Sequence, residues 1–138
     1  MPRTAKQQTG NLGETLACDY LEKQGFTIIA RNVHLSHNEL DIIAENDKYI
    51  IFVEVKTRSA LIPDESDYGS AGRAVDKSKR KGTVKAAQMY LGSYRGTKQP
   101  RIDVIEVYLK SSDSPFPTPT VLKINHIENA FDAKGRIH

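Results

Sequence analysis

The sequence predicts a single α/β domain in which helices flank a mixed β-sheet. Three observations indicate this class: an amphipathic helical stretch near the N-terminus, two adjacent strand-like runs that read as a hairpin, and a second helical stretch followed by two more strands. The chain has 138 residues, of which 38% are hydrophobic. This length accommodates one hydrophobic core and is too short for two independently stable domains.

The first helix is predicted over residues 11–24, where apolar side chains recur with a period near 3.6 and Gly25 follows the last turn. Residues 1–9 are polar and show no periodicity, so we expect a disordered tail. A short β-rich run covers residues 26–31, and a polar stretch over 32–38 is expected to interrupt the chain before the next strand.

Two clearer strands are predicted at 39–45 and 49–56, with Asn46-Asp47 between them as the turn of a hairpin. The polar composition of residues 57–72 indicates a long loop. The remaining predicted elements are a helix over about 73–91, a strand over 101–109, a Ser/Pro-rich linker over 111–119 and a strand over 120–125.

The register of the hairpin decides which side chains share a face of the sheet. A two-residue turn at Asn46-Asp47 sets Asp41 opposite Phe52, whereas a turn one residue later sets Asp41 opposite Glu54. In both registers the same residues share one face, which is apolar near the turn and polar at the far end. These residues are Glu39, Asp41, Ile43, Ile50, Phe52, Glu54 and Lys56.

Asp41, Glu54 and Lys56 are candidate catalytic residues. Two close carboxylates repel each other unless a cation lies between them, and hard oxygen ligands of this kind favour Mg²⁺ or Mn²⁺. In metal-assisted phosphodiester hydrolysis the ion activates a water, and a nearby lysine stabilises developing charge. Asp41, Glu54 and the backbone carbonyl of Val55 are therefore predicted metal ligands. The alternative is a partly exposed ion-pair cluster on a strand, because a D…ExK spacing is common.

Glu14 is a fourth candidate catalytic residue. On a helical wheel it falls at the margin of the apolar stripe of the first helix, beside Leu21, from where it can reach the polar end of the sheet. The alternative is a surface acid in a first helical turn, where the helix dipole favours negative charge.

A basic segment is the candidate nucleic-acid interface. The net charge of +3 and the pI of about 9.0 suit a polyanionic partner without requiring one. Cations cluster between residues 73 and 85, where Asp76 is the one acid. The alternative is a solvated helix face. The candidate nucleic-acid-binding residues are Arg58, Arg73, Lys77, Lys79, Arg80 and Lys81.

The sequence predicts a cytoplasmic protein without a membrane partner. No apolar run is long enough to span a bilayer, and no hydrophobic signal region follows the basic start. The single cysteine, Cys18, cannot form an internal disulfide and argues against a thiolate metal site. DNA or RNA as substrate, and a monomer or a homodimer as the assembly, both remain open at this stage.

The stretch from Gly10 to Phe131 resembles the YraN-like family of small bacterial proteins, which are regarded as candidate endonucleases of the PD-(D/E)xK, restriction-endonuclease-like superfamily. The resemblance is carried by several motifs in order along the chain. They are Gly13-Glu14, Arg31-Asn32, Glu39-Leu40-Asp41-Ile42-Ile43-Ala44, Phe52-Val53-Glu54-Val55-Lys56-Thr57-Arg58, Arg101-Ile102-Asp103-Val104-Ile105 and Ile127-Glu128-Asn129-Ala130-Phe131.

This resemblance implies an αβββαβ core similar to that of archaeal Holliday-junction resolvases, which place a glutamate of the first helix beside the D…ExK cluster. It supports a role for Glu14, and it implies an Mg²⁺-dependent endonuclease acting on DNA, with branched or structured DNA as the favoured substrate. Two other hypotheses stay open: a non-catalytic nucleic-acid-binding module with a nuclease fold, and a protein-interaction module whose basic helix docks an acidic partner.

Overall fold

Two helices and five strands make up residues 5–59, 77–110 and 120–131, the parts of the chain that the computed structural model describes. The predicted α/β class and the predicted order of elements are confirmed. The elements are α1 (Ala5–Lys23), β1 (Thr27–Leu35), β2 (Asn38–Glu45), β3 (Tyr49–Ser59), α2 (Lys77–Ser93), β4 (Gln99–Lys110) and β5 (Thr120–Ile127).

The strands form one mixed sheet in the order β1-β2-β3-β4-β5. β3 and β4 pair in parallel, and the other neighbours pair antiparallel. Parallel neighbours need a crossover connection, and α2 lies in the segment that joins β3 to β4. The result is an αβββαβ core of the restriction-endonuclease-like type, with β5 added at the edge beside β4.

The two helices cover opposite faces of this sheet. Because alternate residues of a strand point to opposite faces, Ile51 and Val53 of β3 pack in the cluster that contains α1, whereas Ile50 and Phe52 pack in the cluster that contains α2. All four side chains are fully buried. β3 is therefore a central strand with apolar layers on both sides, which explains its nearly continuous hydrophobic run.

The N-terminal helix is longer than its periodicity indicates. It begins at Ala5, so the disordered tail predicted over residues 1–9 is wrong for residues 5–9, which are helical. Alanine, lysine and glutamine in this stretch are strong helix formers even without an apolar stripe.

Neither helix in the described parts of the chain is long and apolar enough to cross a membrane.

The interruption predicted over residues 32–38 is wrong, because β1 continues to Leu35. Asn32 adopts a φ of 52° within the strand, and the pairing with β2 continues on both sides of it. Asparagine tolerates this left-handed conformation better than most residues, so a polar residue that suggested a break is accommodated inside the strand. The tight turn Ser36-His37 then leads into β2.

The predicted loop over residues 57–72 lies mainly outside the described residues. β3 extends to Ser59, so residues 57–59, the first three positions of the predicted loop, belong to the strand. The predicted start of the second helix at residue 73 also lies outside, and the described part of α2 begins at Lys77. β4 and β5 extend past their predicted ends, to Lys110 and Ile127.

α1 approaches β3 closely at Gly13. A Cβ atom added at Gly13 would overlap the side chain of Thr57. Glycine is therefore the residue that lets the helix lie this close to the strand. The contact also sets the position of Glu14, the next residue of the helix, near the polar end of β3.

Replacing Gly13 with alanine is expected to destabilise the protein by about 1–3 kcal/mol, because the overlap with Thr57 outweighs the roughly 1 kcal/mol that alanine gains in helix propensity. Urea denaturation measures the free energy of unfolding. The matched control is Gly92→Ala in α2, where an added Cβ meets no atom within 4 Å, and its stability should stay equal or rise. Equal behaviour of the two variants, or no rescue of Gly13→Ala by Thr57→Ala, would contradict the close approach.

Candidate active site

The hairpin of β2 and β3 adopts the later of the two predicted registers. Its pairs include Ile43 with Phe52 and Glu45 with Ile50, so the turn residues are Asp47-Lys48. The turn at Asn46-Asp47 is therefore wrong. Asn46 flanks the turn instead, where its side-chain oxygen accepts hydrogen bonds from the backbone N–H groups of Lys48 and Tyr49 at 2.9 and 2.8 Å.

The strands separate at the other end of this hairpin. The last pair before the gap is Ile42 with Val53. One step further, the backbone N–H of Val55 donates to the Asp41 carboxylate, at 2.8 Å, so a side chain takes the place of the partner strand as hydrogen-bond acceptor. The register places Glu54 opposite Asp41 across the gap. Two carboxyl groups thus face each other where the backbone pairing stops.

Both carboxyl groups are buried: Asp41 is 8% exposed and Glu54 is 3% exposed. One oxygen of Glu54, Oε1, lies 3.5 Å from the Nζ atom of Lys79 on α2. The other oxygen, Oε2, is buried without a hydrogen-bond partner among the described residues. A buried carboxylate oxygen without a partner is energetically costly, which makes this atom a candidate ligand for a cation.

Burial and mutual repulsion raise the proton affinity of this pair. Burial, followed by the charge of Asp41, raises the pKa of Glu54 to about 8, although Lys79 and Lys56 act in the opposite direction. Burial also raises the pKa of Asp41, against the hydrogen bond from Val55 and the charge of Lys79. The two carboxyl groups therefore hold a proton near neutral pH when no stronger cation is present.

Lys56 lies two residues after Glu54 on the same face of β3. It is partly buried, and its charge lowers the pKa of Glu54. The predicted grouping of Asp41, Glu54 and Lys56 at one end of the sheet is thus reproduced by the structure. Their catalytic roles stay a prediction at this point.

Arg58 continues the same face and is held by a buried acid on β4. Its Nε donates to Oε2 of Glu106 at 2.8 Å, and the hydroxyl of Tyr108 donates to the same oxygen at 3.1 Å. The side-chain amide of Asn125 donates to the other Glu106 oxygen at 3.2 Å. This contact, made through Nε, holds the Arg58 side chain on the face of the sheet that carries Glu54 and Lys56.

Sequence reasoning missed Glu106, although a signal was present. It is an acid within the apolar run of β4, and strand alternation places it on the face that carries Lys56. A fully buried acid in such a run needs a charged partner, so Glu106 predicts a nearby cation. That the cation is Arg58 follows only from the parallel register of β3 and β4.

Glu14 is brought near Asp41 from the opposite face of the sheet. Its carboxylate lies 3.7 Å from the guanidinium of Arg31, which the sequence analysis did not single out as a partner. Burial raises the pKa of Glu14, the charge of Asp41 adds to this effect, and a hydrogen bond to Asn32 and the charge of Arg31 oppose it. The first helix therefore places a third acid within electrostatic range of the pair.

The residues of the predicted basic segment lie in different environments. Lys79 reaches the carboxyl pair, and burial alone would lower its pKa, but the charges of Glu54 and Asp41 raise it overall. Arg80 is partly buried and Lys81 is exposed on α2. Lys77 is the first described residue of that helix, and Arg73 lies outside the described residues.

Another buried acid, Asp103, shows how a satisfied carboxylate looks in this fold. Arg101 makes two hydrogen bonds to it at 2.8 and 2.9 Å, and His126 contacts it at 2.7 Å. The backbone N–H of Asn129 adds a fourth contact at 3.0 Å, and these partners keep the pKa of Asp103 below its ordinary value even though burial acts to raise it. Glu54 lacks partners of this kind.

A divalent metal at the carboxyl pair would have few side-chain ligands. Within residues 5–59, 77–110 and 120–131, no three His, Cys, Asp or Glu side chains are grouped closely enough to hold an ion. Asp41 and Glu54 are two ligands. The N–H and C=O of one strand residue point to the same neighbour, so the carbonyl of Val55 faces the gap that its N–H already faces.

Residues 13–107 match the family described as "Uncharacterised protein family UPF0102". The chain belongs to this family. A UPF0102 protein of Caldanaerobacter subterraneus subsp. tengcongensis is 39% identical over 95% of the chain and 100% of the relative. A UPF0102 protein of Syntrophomonas wolfei is 39% identical over 91% of the chain and 98% of the relative. The resemblance to the YraN-like family is confirmed by these matches.

A solved structure, that of Pyrococcus furiosus SfsA in complex with Ca²⁺, is similar to 84% of the chain. The two proteins are 17% identical, the TM-score is 0.38, and the similarity covers 63% of the SfsA chain.

Without divalent metal, the free energy of unfolding is expected to fall as the pH rises from about 5 to about 8. The folded-state pKa of Glu54, about 8, exceeds its ordinary value of 4.5. The resulting stabilisation is complete below the ordinary pKa and is lost as the pH rises through the folded one. Each tenfold difference in proton affinity corresponds to about 1.4 kcal/mol.

Urea denaturation in EDTA at several pH values measures this dependence for the wild type and Glu54→Gln. The variant should show a flatter profile, because an amide does not titrate. Glu45→Gln is the matched control, since Glu45 is a half-buried acid at the other end of the same hairpin. Identical slopes for the wild type and Glu54→Gln would mean that Glu54 is not buried as described.

Proposed function

We propose that this protein is an Mg²⁺- or Mn²⁺-dependent endonuclease that hydrolyses phosphodiester bonds in DNA. The observation that carries the proposal is the unpartnered, buried Oε2 atom of Glu54 in a gap that also contains the Asp41 carboxylate. Structural acids of this fold, such as Asp103, have partners on both oxygens. A buried carboxyl pair in which one oxygen lacks a partner suits a cation that prefers hard oxygen ligands.

The donor set fits a divalent ion. It consists of two carboxylates and a backbone carbonyl, from Asp41, Glu54 and Val55, and all are oxygen ligands of the kind that Mg²⁺ and Mn²⁺ prefer. Mg²⁺ keeps several waters when it binds to proteins, which agrees with so few protein ligands. When bound, such an ion polarises a phosphoryl oxygen and lowers the pKa of water.

Lys56 is assigned to chemistry and Arg58 to substrate binding. The ammonium group of Lys56 lies on the Glu54 face, where it stabilises negative charge that develops on the phosphoryl group during attack. The guanidinium of Arg58 is held by Glu106 through Nε, and its planar set of donors suits a phosphate. Glu14, paired with Arg31, is assigned as an accessory acid that helps to orient groups bound at Asp41.

The positive charges near the site favour a nucleic-acid substrate that is recognised by its backbone. Arg58 and the exposed Lys81 of α2 suit phosphate contacts, and such contacts carry no sequence information. Branched or structured DNA is the favoured class, because the YraN-like resemblance implies a core similar to that of archaeal Holliday-junction resolvases. A non-catalytic DNA-binding module is the competing function and is separated by the cleavage test below.

Lys56→Met is expected to slow cleavage by roughly 10²- to 10³-fold, the loss that follows removal of one electrostatic donor. Methionine keeps the length of the stem and removes the charge. The affinities for Mn²⁺ and for DNA should change little, because the carboxylates hold the metal and several cations hold the DNA. Single-turnover cleavage is measured on the best substrate from a panel of branched, nicked, single-stranded and duplex DNA and RNA.

Lys48→Met is the matched control, since Lys48 is exposed in the turn at the other end of the same hairpin. Asp41→Asn and Glu54→Gln should abolish metal-dependent cleavage. Cleavage that survives these two substitutions would exclude this site as the active centre. Tight DNA binding by the wild type, with no cleavage of any panel member in Mg²⁺ or Mn²⁺, would favour the non-catalytic module.

A further inference from the structure

The ammonium group of Lys79, on α2, lies beside the carboxyl pair. Its Nζ atom lies 3.5 Å from Oε1 of Glu54, a side chain that is almost completely buried. The Lys79 side chain itself is 42% exposed, so it spans the distance from the surface of α2 to the gap between β2 and β3. A lysine that served only as an exposed phosphate contact would not have to reach this acid.

The placement of α2 brings Lys79 to the gap. At Gly82 an added Cβ would lie 2.8 Å from the side-chain oxygen of Asn38, so the helix lies close to the start of β2. The hydroxyl of Thr83, which is buried, donates to the backbone carbonyl of Lys79 at 3.1 Å. The approach at Gly82, about one helical turn after Lys79, places the Lys79 backbone within reach of Glu54, and the Thr83 bond is internal to α2.

We propose that Lys79 is the resident counter-ion of the carboxyl pair in the metal-free protein, and that an entering divalent cation displaces it. This inference rests on the proposed metal site. Lys79 and the metal are both attracted to the Glu54 carboxylate, and two cations a few ångströms apart repel each other. Occupancy by one therefore opposes occupancy by the other.

The structure provides space for the displaced side chain. A cavity of about 290 Å³ lies beside α2 and the turn between β1 and β2. The four-carbon stem of a lysine is flexible, so a rotamer change can carry the ammonium from Glu54 into this cavity, where Glu39 offers a second acid. The cavity is lined by His37, Asn38, Glu39, Ser78, Lys79, Gly82 and Thr83.

Lys79 then moves from a carboxylate in the metal-free protein to a position that faces the open cavity. This exchange keeps the buried acids compensated before the metal binds.

The test is calorimetric titration with Mn²⁺ at constant pH, comparing the wild type with Lys79→Met. Removal of the resident ammonium should raise the Mn²⁺ affinity about tenfold, a modest coupling for a close charge pair. Lys85→Met is the matched control, because Lys85 is an exposed lysine on the same helix and its loss changes the net charge equally. Its Mn²⁺ affinity should stay within about twofold of the wild type.

A second readout does not depend on metal. In EDTA and above about pH 8, where Glu54 is ionised, Lys79→Met should lower the free energy of unfolding in the wild-type background and have a much smaller effect in a Glu54→Gln background, because the amide needs no counter-ion. If Lys79→Met alone folds poorly, a double variant Lys79→Met/Glu54→Gln that folds more stably would still show that Lys79 compensates the charge of Glu54.

The outcomes separate the two levels of the proposal. Mn²⁺ binding to the wild type with equal affinity in Lys79→Met and Lys85→Met would overturn the counter-ion role and leave the metal site intact. Weaker Mn²⁺ binding by Lys79→Met would also overturn it, because Lys79 would then support the metal-bound form. No Mn²⁺ binding to the wild type or to Lys79→Met would overturn the metal site together with the role of Lys79.

Discussion

Asp41 and Glu54 are buried opposite each other where the backbone pairing of β2 and β3 stops, and the ammonium group of Lys79 lies 3.5 Å from Glu54. Burying two carboxylates together costs free energy through both desolvation and repulsion. Other buried acids of the sheet, Asp103 and Glu106, are compensated by hydrogen-bonded partners on both oxygens. Among these buried acids of the described residues, Glu54 therefore carries the oxygen that has no partner. The neighbouring helices and strands pack around this carboxylate.

Each helix places a charged side chain near this gap, and the two helices lie on opposite faces of the sheet. α1 lies against β3 through Gly13 and thereby brings Glu14 towards Asp41. α2 lies against the start of β2 through Gly82 and brings Lys79 to the gap from the other side. In each case a glycine permits the close approach that an added Cβ would obstruct. The geometry of the site thus depends on helix–sheet packing as much as on the strands that carry the carboxylates.

Much of this arrangement was predictable because it depends on short-range periodicity. Alternation along β2 and β3 put Asp41, Glu54 and Lys56 on one face in either register, so their grouping did not require the correct turn. The turn itself was mispredicted because Asn46 lies just before the turn, where its side-chain oxygen accepts two backbone hydrogen bonds. The direction of Lys79 depends on how α2 packs against β2, and that is a tertiary property which charge and helical period do not contain.

The most direct test is a crystal structure of the protein grown or soaked with Mn²⁺, with anomalous diffraction data to locate the ion. The account predicts one strong peak in the gap between β2 and β3, bounded by the carboxylates of Asp41 and Glu54 and the carbonyl of Val55, with the Lys79 side chain moved away from Glu54. A peak that persists in Asp41→Asn crystals, a peak elsewhere, or Lys79 still bound to Glu54 in the absence of any peak would contradict it.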